Sequence, residues 1–369
     1  RFAILLMLSL TVRALVIPAT DSRIYHSEYN WHKDPSGFLE TTNPGAYIRV
    51  AFTGTSIGIT LDKPLLTVPF CTLAWSINGL PEQNVTLPTT SSFIPLASGL
   101  EKEKTHSLFF YVKNAEFNDR WENPDQQVKV ISVTIDDDAT LSAPKLAPKR
   151  LLVYSDSIGE GYYGIGCQDF LSSNDAYSTW PFTLAQALNA ELSLVAWSTQ
   201  GYTIRGWGNV PPIWSSNGGS NDSAWKWITL KHPRTFETCP DYIINALGTN
   251  DAYYSVNPDL VTANAHGWLK DMRKTCPQSR IFLAVPFGLF MEDAIIKAYN
   301  DYQADSYDAR TSLIQLGEQG SAGLTDSGAA IESCDGLHPW GWRNCQLGAL
   351  LAVKIVPLLV DSKSCSVEL

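Results

Sequence analysis

Hydrophobic and polar positions follow two different patterns along the chain, and the change falls near residue 150. Between about residues 25 and 138, short runs rich in Val, Ile, Thr, Phe and Tyr are separated by Gly, Pro, Asn and Asp. Such runs predict β-strands, the clearest being 46–52, 56–61, 71–77, 107–112 and 128–135. No helical period interrupts them, so this part is predicted to be a β-sandwich or jelly roll of antiparallel strands.

From Arg150 onward, strand and helix patterns alternate. Apolar runs predict strands at 151–154, 192–197, 242–247, 281–285 and 312–316, and the helical period predicts helices at 177–189, 260–274, 292–307 and 342–359. This alternation implies a parallel sheet with helices on both faces, a three-layer α/β/α domain. The Pro- and Lys-containing segment 142–149 is typical of a linker. The predicted domains are therefore a β-sandwich at 18–141 and an α/β domain at 150–369.

The first 17 residues form an apolar stretch behind Arg1, and Arg13 interrupts it too early for a membrane span. Residues 1–17 are therefore predicted to be a secretory signal peptide, and the protein to be secreted and extracellular. Asn84 and Asn221 stand in glycosylation sequons, which agrees with secretion. The apolar run 347–360 contains Lys354 and Pro357, so no membrane partner is expected.

The composition narrows the class of partner. The formal net charge is −10 and no Lys or Arg cluster occurs, which argues against nucleic acid and anionic lipid. Only 17% of residues are charged and 12 are Trp. That balance suits an extracellular protein that stacks on sugar rings, although large aromatic residues in a core give a similar composition. A monomer is expected.

Seven Cys in a secreted chain predict disulfides with one thiol left over. Cys239 and Cys276 each precede a predicted strand, so they could meet at the entry to neighbouring strands. Cys334 and Cys345 bracket the segment 335–338 and could close it into a loop. The connectivity does not follow from sequence. Because no Cys-x-x-Cys occurs, zinc is not expected, and neither is any other metal or cofactor.

A candidate nucleophile stands where the first strand of the α/β part ends. Ser157, in Ser155-Asp-Ser157, follows the strand at 151–154, and chemistry collects beyond the carboxyl ends of such strands. Taken alone, this segment is more often a simple turn. A serine needs a base and the base needs an acceptor that orients it, and His338 has Asp335 three residues before it. His266 lies mid-helix, and His232 has no carboxylate near it in sequence.

Acyl transfer also needs donors for an oxyanion. The backbone N–H groups of Ser157 and Gly201 and the side-chain amide of Asn250 are the candidates, each following a predicted strand. Without the others, Gly201 would be interpreted as a turn and Asn250 as a cap.

Three other motifs are weaker. The segment 54–58 fits a nucleophile elbow around Ser56, but no helix pattern follows it. The glycines at 159–164 fit a dinucleotide fingerprint, but the next residues do not open a helix. The acidic run 136–138 could bind a cation, although a solvated strand end is the better interpretation.

Ser157 in Ser-Asp-Ser-Ile, Gly201, Asn250 in Gly-Thr-Asn-Asp and Asp335-x-x-His338 occur in the order that resembles the four blocks of the SGNH, or GDSL-type, hydrolases. The resemblance covers about residues 150–359 and implies Ser157 as nucleophile, His338 as base and Asp335 as its orienter. It also implies Ser157, Gly201 and Asn250 as oxyanion donors. Ser155 departs from the family, which usually has Gly there, and the surroundings of Gly201 are loosely patterned.

A β-sandwich before such a domain is similar to carbohydrate esterase family 2, whose members remove acetyl groups from plant polysaccharides. In the first part the likeness rests on two weak motifs, at 45–55 and 75–79. Some members of that family lack the triad aspartate, whereas this chain has Asp335.

The expected function is that of a secreted serine esterase that deacetylates polysaccharides such as xylan or mannan through an acyl-enzyme. The open alternatives are a lipase-like esterase, an acyltransferase and a non-catalytic carbohydrate-binding protein. Several aromatic residues of the second part could stack on sugar, although core packing is the commoner role of each. They are Trp207, Trp214, Trp225, Trp227, Tyr253, Tyr254 and Trp340. Sequence does not reveal the polysaccharide, the acyl position or whether the first part shapes the cleft.

Overall fold

The computed structural model describes residues 14–62, 71–87, 89, 91–116, 118–123, 127–317 and 333–359. In the first part, these described residues form twelve strands, β1 to β12. They are Ala14–Pro18, Tyr25–His26, His32–Lys33, Leu39–Thr41, Tyr47–Phe52, Ile57–Leu61, Cys71–Ile77, Gln83–Thr86, Phe93–Ala97, His106–Ala115, Val128–Asp136 and Leu141–Ser142. Within the described ranges, no helix has the length and apolar character needed to span a membrane.

These strands form two six-stranded antiparallel sheets. One has the order β3-β4-β11-β6-β9 with β1 also paired to β11, and the other has the order β12-β5-β10-β7-β8 with β2 also paired to β5. Alternate residues of both sheets enter one apolar core, among them Ile59, Val133, Val50, Leu73 and Phe110. The period-2 pattern of the sequence arises from this burial, because successive strand residues point to opposite faces.

Where the structure describes the second part, it forms one parallel sheet of five strands, β13 to β17. They are Lys149–Ser155, Ala190–Ala196, Tyr242–Asn245, Arg280–Val285 and Thr311–Gln315, in the order β14-β13-β15-β16-β17. The chain reverses its direction of propagation at β13, which makes the carboxyl end of this strand the topological switch point where ligands bind in open α/β sheets.

Helices cover both faces of this sheet. The helices found among the described residues, α1 to α7, are Ser157–Glu160, Phe170–Ser173, Trp180–Ala187, Thr249–Tyr253, Pro258–Thr275, Glu292–Ser306 and Gly341–Leu359. Leu152 and Tyr154 face a core formed with α5 and α6, whereas Leu151 and Val153 face a core formed with α3 and α7. Every β13 side chain from Leu151 to Ser155 is buried, and the apolar run 151–154 is that expected of a parallel strand between two helical layers.

The observed elements confirm the predicted order of strands and helices, with most boundaries shifted by one to three residues. One boundary does not fit. Ala14–Pro18 form β1, which pairs with β11, and Ile17 lies in the sandwich core. The predicted signal peptide at 1–17 therefore overlaps a strand of the fold at its last four residues, and its first thirteen lie outside the described residues. Residues 143–148, within the predicted linker, contain no helix or strand.

The two parts share more than a linker. Tyr29 and Trp121, which belong to the first part in sequence, are buried in the α5/α6 core of the second. Asn30 Nδ2 donates to the carbonyl oxygen of Leu194 over 2.6 Å. Arg49 of β5 lies 3.0 Å from the Glu191 carboxylate at the start of β14. The positions of the first part's loops are thus fixed by the second part.

Candidate active site

Ser157 lies directly beyond β13, as the first residue of the short helix α1. Asp156 caps this helix, because its carboxylate accepts the backbone N–H of Ile158 over 3.0 Å. Gly159 allows the helix to lie against the strand end, since a Cβ at this position would come 2.4 Å from Ser155 Oγ. The turn therefore holds Ser157 at the switch point of the sheet.

Ser157, His338 and Asp335 form a hydrogen-bonded chain. His338 Nε2 lies 2.7 Å from Ser157 Oγ, and His338 Nδ1 lies 2.6 Å from Asp335 Oδ2. The same carboxylate accepts the backbone N–H groups of Leu337 and His338 through Oδ1. This is the geometry of a serine nucleophile, its base and an orienting acid. Of the six His, the structure places the one predicted from sequence against the serine.

The electrostatics of Asp335 fix the tautomer of His338. Burial raises the pKa of Asp335, but the hydrogen bond and the charge of His338 and two backbone N–H groups outweigh it, so this pKa lies well below its usual value. The ionised carboxylate only accepts hydrogen bonds, so Nδ1 carries the imidazole proton. The neutral ring then presents the Nε2 lone pair to the Ser157 hydroxyl and can take its proton.

The predicted oxyanion donors differ in how they are held. Ser157 N–H belongs to the first turn of α1, where no intrahelical carbonyl can accept it. Asn250 is almost buried on α4, and its Nδ2 donates one of its two hydrogens to the carbonyl of Gln200 over 3.0 Å. The N–H of Gly201 donates to the carbonyl of Ile204 over 3.0 Å. This bond occupies the Gly201 donor, so its oxyanion role stays a prediction.

Asp251 shapes the loop that carries Gly201, and sequence reasoning missed it. Its carboxylate accepts the backbone N–H groups of Tyr202 and Thr203 and the Thr203 hydroxyl. A Cβ on Gly201 would come 2.3 Å from Asp251 Oδ2, so only glycine fits there. Burial raises the pKa of Asp251, and these hydrogen bonds oppose the rise.

The loop after α1 also contacts His338. The Tyr162 ring centroid lies 4.5 Å from that of His338, and the Tyr163 centroid lies 6.2 Å from it. These tyrosines lie in the glycine-containing segment 159–164. The glycine spacing of this segment fits a dinucleotide fingerprint and does not predict the contact of the tyrosines with His338. The segment flanks the nucleophile and turns after Glu160, with no helix long enough to receive a dinucleotide phosphate.

The disulfides correct one prediction and confirm another. Cys239 pairs with Cys276, as their positions before neighbouring strands predicted. The proposed Cys334 to Cys345 pair is wrong, because Cys334 bonds Cys167 and Cys345 is an exposed free thiol. The observed bond joins the loop that carries Asp335 and His338 to the segment that follows α1. A sequence separation of 167 residues hides this pairing from local reasoning.

The aromatic candidates for substrate contact fall into different environments. Trp207 and Tyr253 remain 41% and 75% exposed, and Tyr254 is also exposed. Trp214 packs on Gly267 of α5 and donates to the Asp271 carboxylate, which gives it a structural role. Trp225 is buried in the core of the second part. Trp340 is half-buried two residues after His338.

The remaining candidate residues lie apart from the site or on the surface. Ser56 donates to Asp136 and is followed by β6 instead of a helix. Asp136 also accepts the backbone N–H and the hydroxyl of Thr55. Across the residues that the structure describes, no group of three His, Cys, Asp or Glu side chains could hold a metal. Asn84 and Asn221 are both exposed, and their glycosylation stays a prediction.

Comparison with known proteins finds carbohydrate esterases among the matches. No family model matches the chain. It is 28% identical over 177 residues to an acetylxylan esterase/glucomannan deacetylase of Cellvibrio japonicus, covering 44% of this chain and 46% of that protein. It is 23% identical over 273 residues to the cellulase/esterase CelE of Acetivibrio thermocellus, covering 71% of this chain and 31% of that protein. The chain thus spans less than half the length of the curated relatives it matches.

The whole architecture recurs in a solved structure. A family two carbohydrate esterase from Cellvibrio japonicus superposes with a TM-score of 0.74 over 94% of this chain and 98% of that one, at 18% identity. This chain has the family 2 carbohydrate esterase fold. The likeness in fold agrees with the order of a sandwich and an α/β part that the sequence predicts. In the family 2 fold of this chain, Ser157, His338 and Asp335 meet at one edge of the parallel sheet.

Proposed function

We propose that this protein is a secreted serine esterase that removes acetyl groups from plant polysaccharides such as xylan or mannan. The observation that carries the proposal is the chain of contacts Ser157 Oγ to His338 Nε2, 2.7 Å, and His338 Nδ1 to Asp335 Oδ2, 2.6 Å. Such a chain activates a serine hydroxyl, which otherwise is a weak nucleophile. The intact series of hydrogen bonds from Ser157 to Asp335 argues against a protein that only binds carbohydrate.

The first half-reaction transfers the acyl group to the protein. Ser157 Oγ attacks the ester carbonyl while His338 Nε2 takes the hydroxyl proton, and Asp335 stabilises the imidazolium. Ser157 N–H and the Asn250 amide face the oxyanion that forms, with Gly201 as a third donor once its bond to Ile204 is exchanged. His338 then returns the proton to the sugar oxygen, which leaves as an alcohol.

The second half-reaction regenerates the serine. Water enters where the sugar left, and His338 removes a proton from it as it attacks the acyl carbonyl. The same oxyanion donors stabilise the second tetrahedral intermediate. Collapse of this intermediate frees the carboxylic acid and restores the Ser157 hydroxyl.

The substrate class rests on the relatives and on the exposed aromatic residues. The Cellvibrio japonicus relative is described as acting on acetylated xylan and glucomannan. Trp207 and Tyr253 expose flat apolar faces of the kind that stack on sugar rings. We propose them, with Trp340 beside the base, as carbohydrate contacts, and we propose that the chain acts as a monomer with residues 18–141 and 150–369 as its domains.

Acetyl release from defined oligosaccharides tests this function. The purified protein would be incubated with acetylated xylo- and manno-oligosaccharides and with long-chain p-nitrophenyl esters, beside a Ser157→Ala control. Loss of acetyl groups from the oligosaccharides by the parent protein alone supports the proposal. Preferred cleavage of the long-chain esters would identify a lipase-like esterase, and transfer of the acetyl group to a second sugar would identify an acyltransferase.

A further inference from the structure

A buried carboxylate next to the nucleophile is held by an arginine from the other part of the chain. Glu160 is the last residue of α1, the helix that begins at Ser157, and its side chain is 4% exposed. One carboxylate oxygen accepts Arg120 Nη2 over 2.6 Å. Arg120 belongs to the connection between β10 and β11 of the sandwich, and its side chain is 2% exposed. The pair is therefore removed from water.

The second oxygen of Glu160 reaches a different loop. It accepts both the backbone N–H and the hydroxyl of Ser198, over 2.6 and 2.5 Å. Ser198 follows β14 and begins the segment that carries Gly201 and the carbonyl to which Asn250 bonds. Glu160 thus joins the helix that begins at Ser157 to the loop that carries Gly201 and that holds Asn250 through the Gln200 carbonyl, and Arg120 fixes the Glu160 carboxylate.

Arg120 is itself held by close packing. Its guanidinium carbon lies 4.7 Å from the Trp197 ring centroid, a cation–π contact at the end of β14. Gly208 packs against it so closely that a Cβ there would come 2.9 Å from Arg120 Cγ. The next residue, Trp121, is fully buried, donates its backbone N–H to Gly208 and its ring N–H to Ser220. Arg120 is therefore held in place by the residues packed around it.

We propose that Arg120 is a positioning residue for the reaction, through which the sandwich part sets the relative position of Ser157 and the oxyanion donors. The proposal rests on the proposed function and goes beyond it, because it assigns the first part of the chain a role in turnover. Removal of one partner from a buried ion pair leaves an uncompensated charge that must find water. Without Arg120, Glu160 is expected to turn outward and release Ser198.

The structure offers a matched control. Arg49 and Glu191 form another ion pair between the two parts, with a Glu191 side chain that is 3% exposed. Glu191 stands near the amino end of β14, whereas Ser157 lies beyond the carboxyl end of β13. Arg49→Met removes an ion pair between the two parts at the opposite end of the strands from Ser157. It therefore reports what loss of such a pair does without touching the site.

The test compares Arg120→Met, Arg120→Lys and Ser198→Ala with Arg49→Met and the parent. Hydrogen exchange followed by mass spectrometry would measure protection of segments 157–164 and 198–203, and hydrolysis of p-nitrophenyl acetate would give kcat and KM. Arg120→Met is expected to lose protection in both segments and at least thirtyfold in kcat with KM changed less than threefold. Arg120→Lys should recover part of both, and Arg49→Met should stay within twofold of the parent.

Ser198→Ala keeps the proposal testable if Arg120→Met does not fold. This variant removes only one of the three hydrogen bonds that the Glu160 carboxylate accepts. It should lower kcat by about threefold to tenfold. Unchanged protection and kcat in a folded Arg120→Met or in Ser198→Ala would overturn the proposal, as would an equal loss in Arg49→Met. Loss of protection in both segments, in a protein whose parent form hydrolyses no ester, would uphold the positioning and reject the proposed function instead.

Discussion

Substitution of Asp335 by Asn is expected to change which nitrogen of His338 carries the proton, while the loop around residue 335 keeps its conformation. Asn retains an oxygen that can accept the backbone N–H groups of Leu337 and His338, as Asp335 Oδ1 does over 3.0 and 2.9 Å. Its amide nitrogen would then face His338 Nδ1 as a donor. The imidazole must present a lone pair at Nδ1, so its proton moves to Nε2, opposite Ser157. A protonated Nε2 cannot take the serine proton.

The expected loss follows from this inverted tautomer. The same change in a serine-protease triad costs about 10⁴-fold in kcat, which corresponds to about 5 kcal/mol of activation free energy. Steady-state hydrolysis of p-nitrophenyl acetate by the Asp335→Asn protein should show that loss in kcat with KM little changed. Asp335→Ala should lose activity and, in addition, stability, because it also removes Oδ1, the oxygen that accepts both loop N–H groups.

Retention of kcat within tenfold of the parent by a folded Asp335→Asn protein would refute this reasoning. The protein would then work with a serine and histidine pair that needs no carboxylate. A thermal unfolding curve for each variant separates this outcome from misfolding.

Three further changes test other parts of the structure. Asn250→Ala should lower kcat by about 10²–10³-fold, the usual effect of one oxyanion donor, and an effect below threefold would exclude that role. Burial raises the pKa of Asp156 to about 6, so between pH 4 and 6 the folded state keeps a proton that the unfolded state has lost. The contribution of Asp156 to the free energy of unfolding of the parent should therefore fall as pH rises through this window. Measured by urea unfolding, the free energy of unfolding of Asp156→Asn should rise relative to that of the parent by up to about 3 kcal/mol between pH 4 and pH 7. A difference between the two proteins that does not change with pH would contradict the raised pKa. Removal of the Cys239 to Cys276 bond, which closes a loop of 37 residues, should cost about 4 kcal/mol of unfolding free energy with little change in kcat, whereas a loss below about 1 kcal/mol would show that the bond constrains the unfolded chain weakly.

The spacing of hydrophobic residues in the sequence predicted the order of strands and helices, because each strand or helix buries its residues in a regular local pattern. The apolar run 151–154 and the helical period at 260–274 correspond to β13 and α5, since both elements bury residues at fixed intervals. The segment Asp335-x-x-His338 was also accessible to sequence reasoning. A three-residue spacing in one turn brings an acid to an imidazole without help from the rest of the fold.

Contacts between distant segments were not accessible in this way. The bond between Cys167 and Cys334, and the pair of Arg120 with Glu160, depend on how the sandwich docks on the parallel sheet. An apolar N-terminal stretch is compatible with a signal peptide and with a β-strand, so the pattern of residues 14–17 did not distinguish β1 from the predicted signal peptide. Tyr162 contacts His338 through a loop whose path no local pattern encodes.

The central claim is that Ser157 carries the acyl group, and direct trapping of that intermediate tests it. The protein would be mixed with p-nitrophenyl acetate, quenched in acid within the first turnover and digested for mass spectrometry. An acetyl group on the peptide that contains Ser157, absent from the Ser157→Ala protein, is the predicted result. Rapid release of p-nitrophenol with no acetyl group on that peptide, or equal release by Ser157→Ala, would contradict the account.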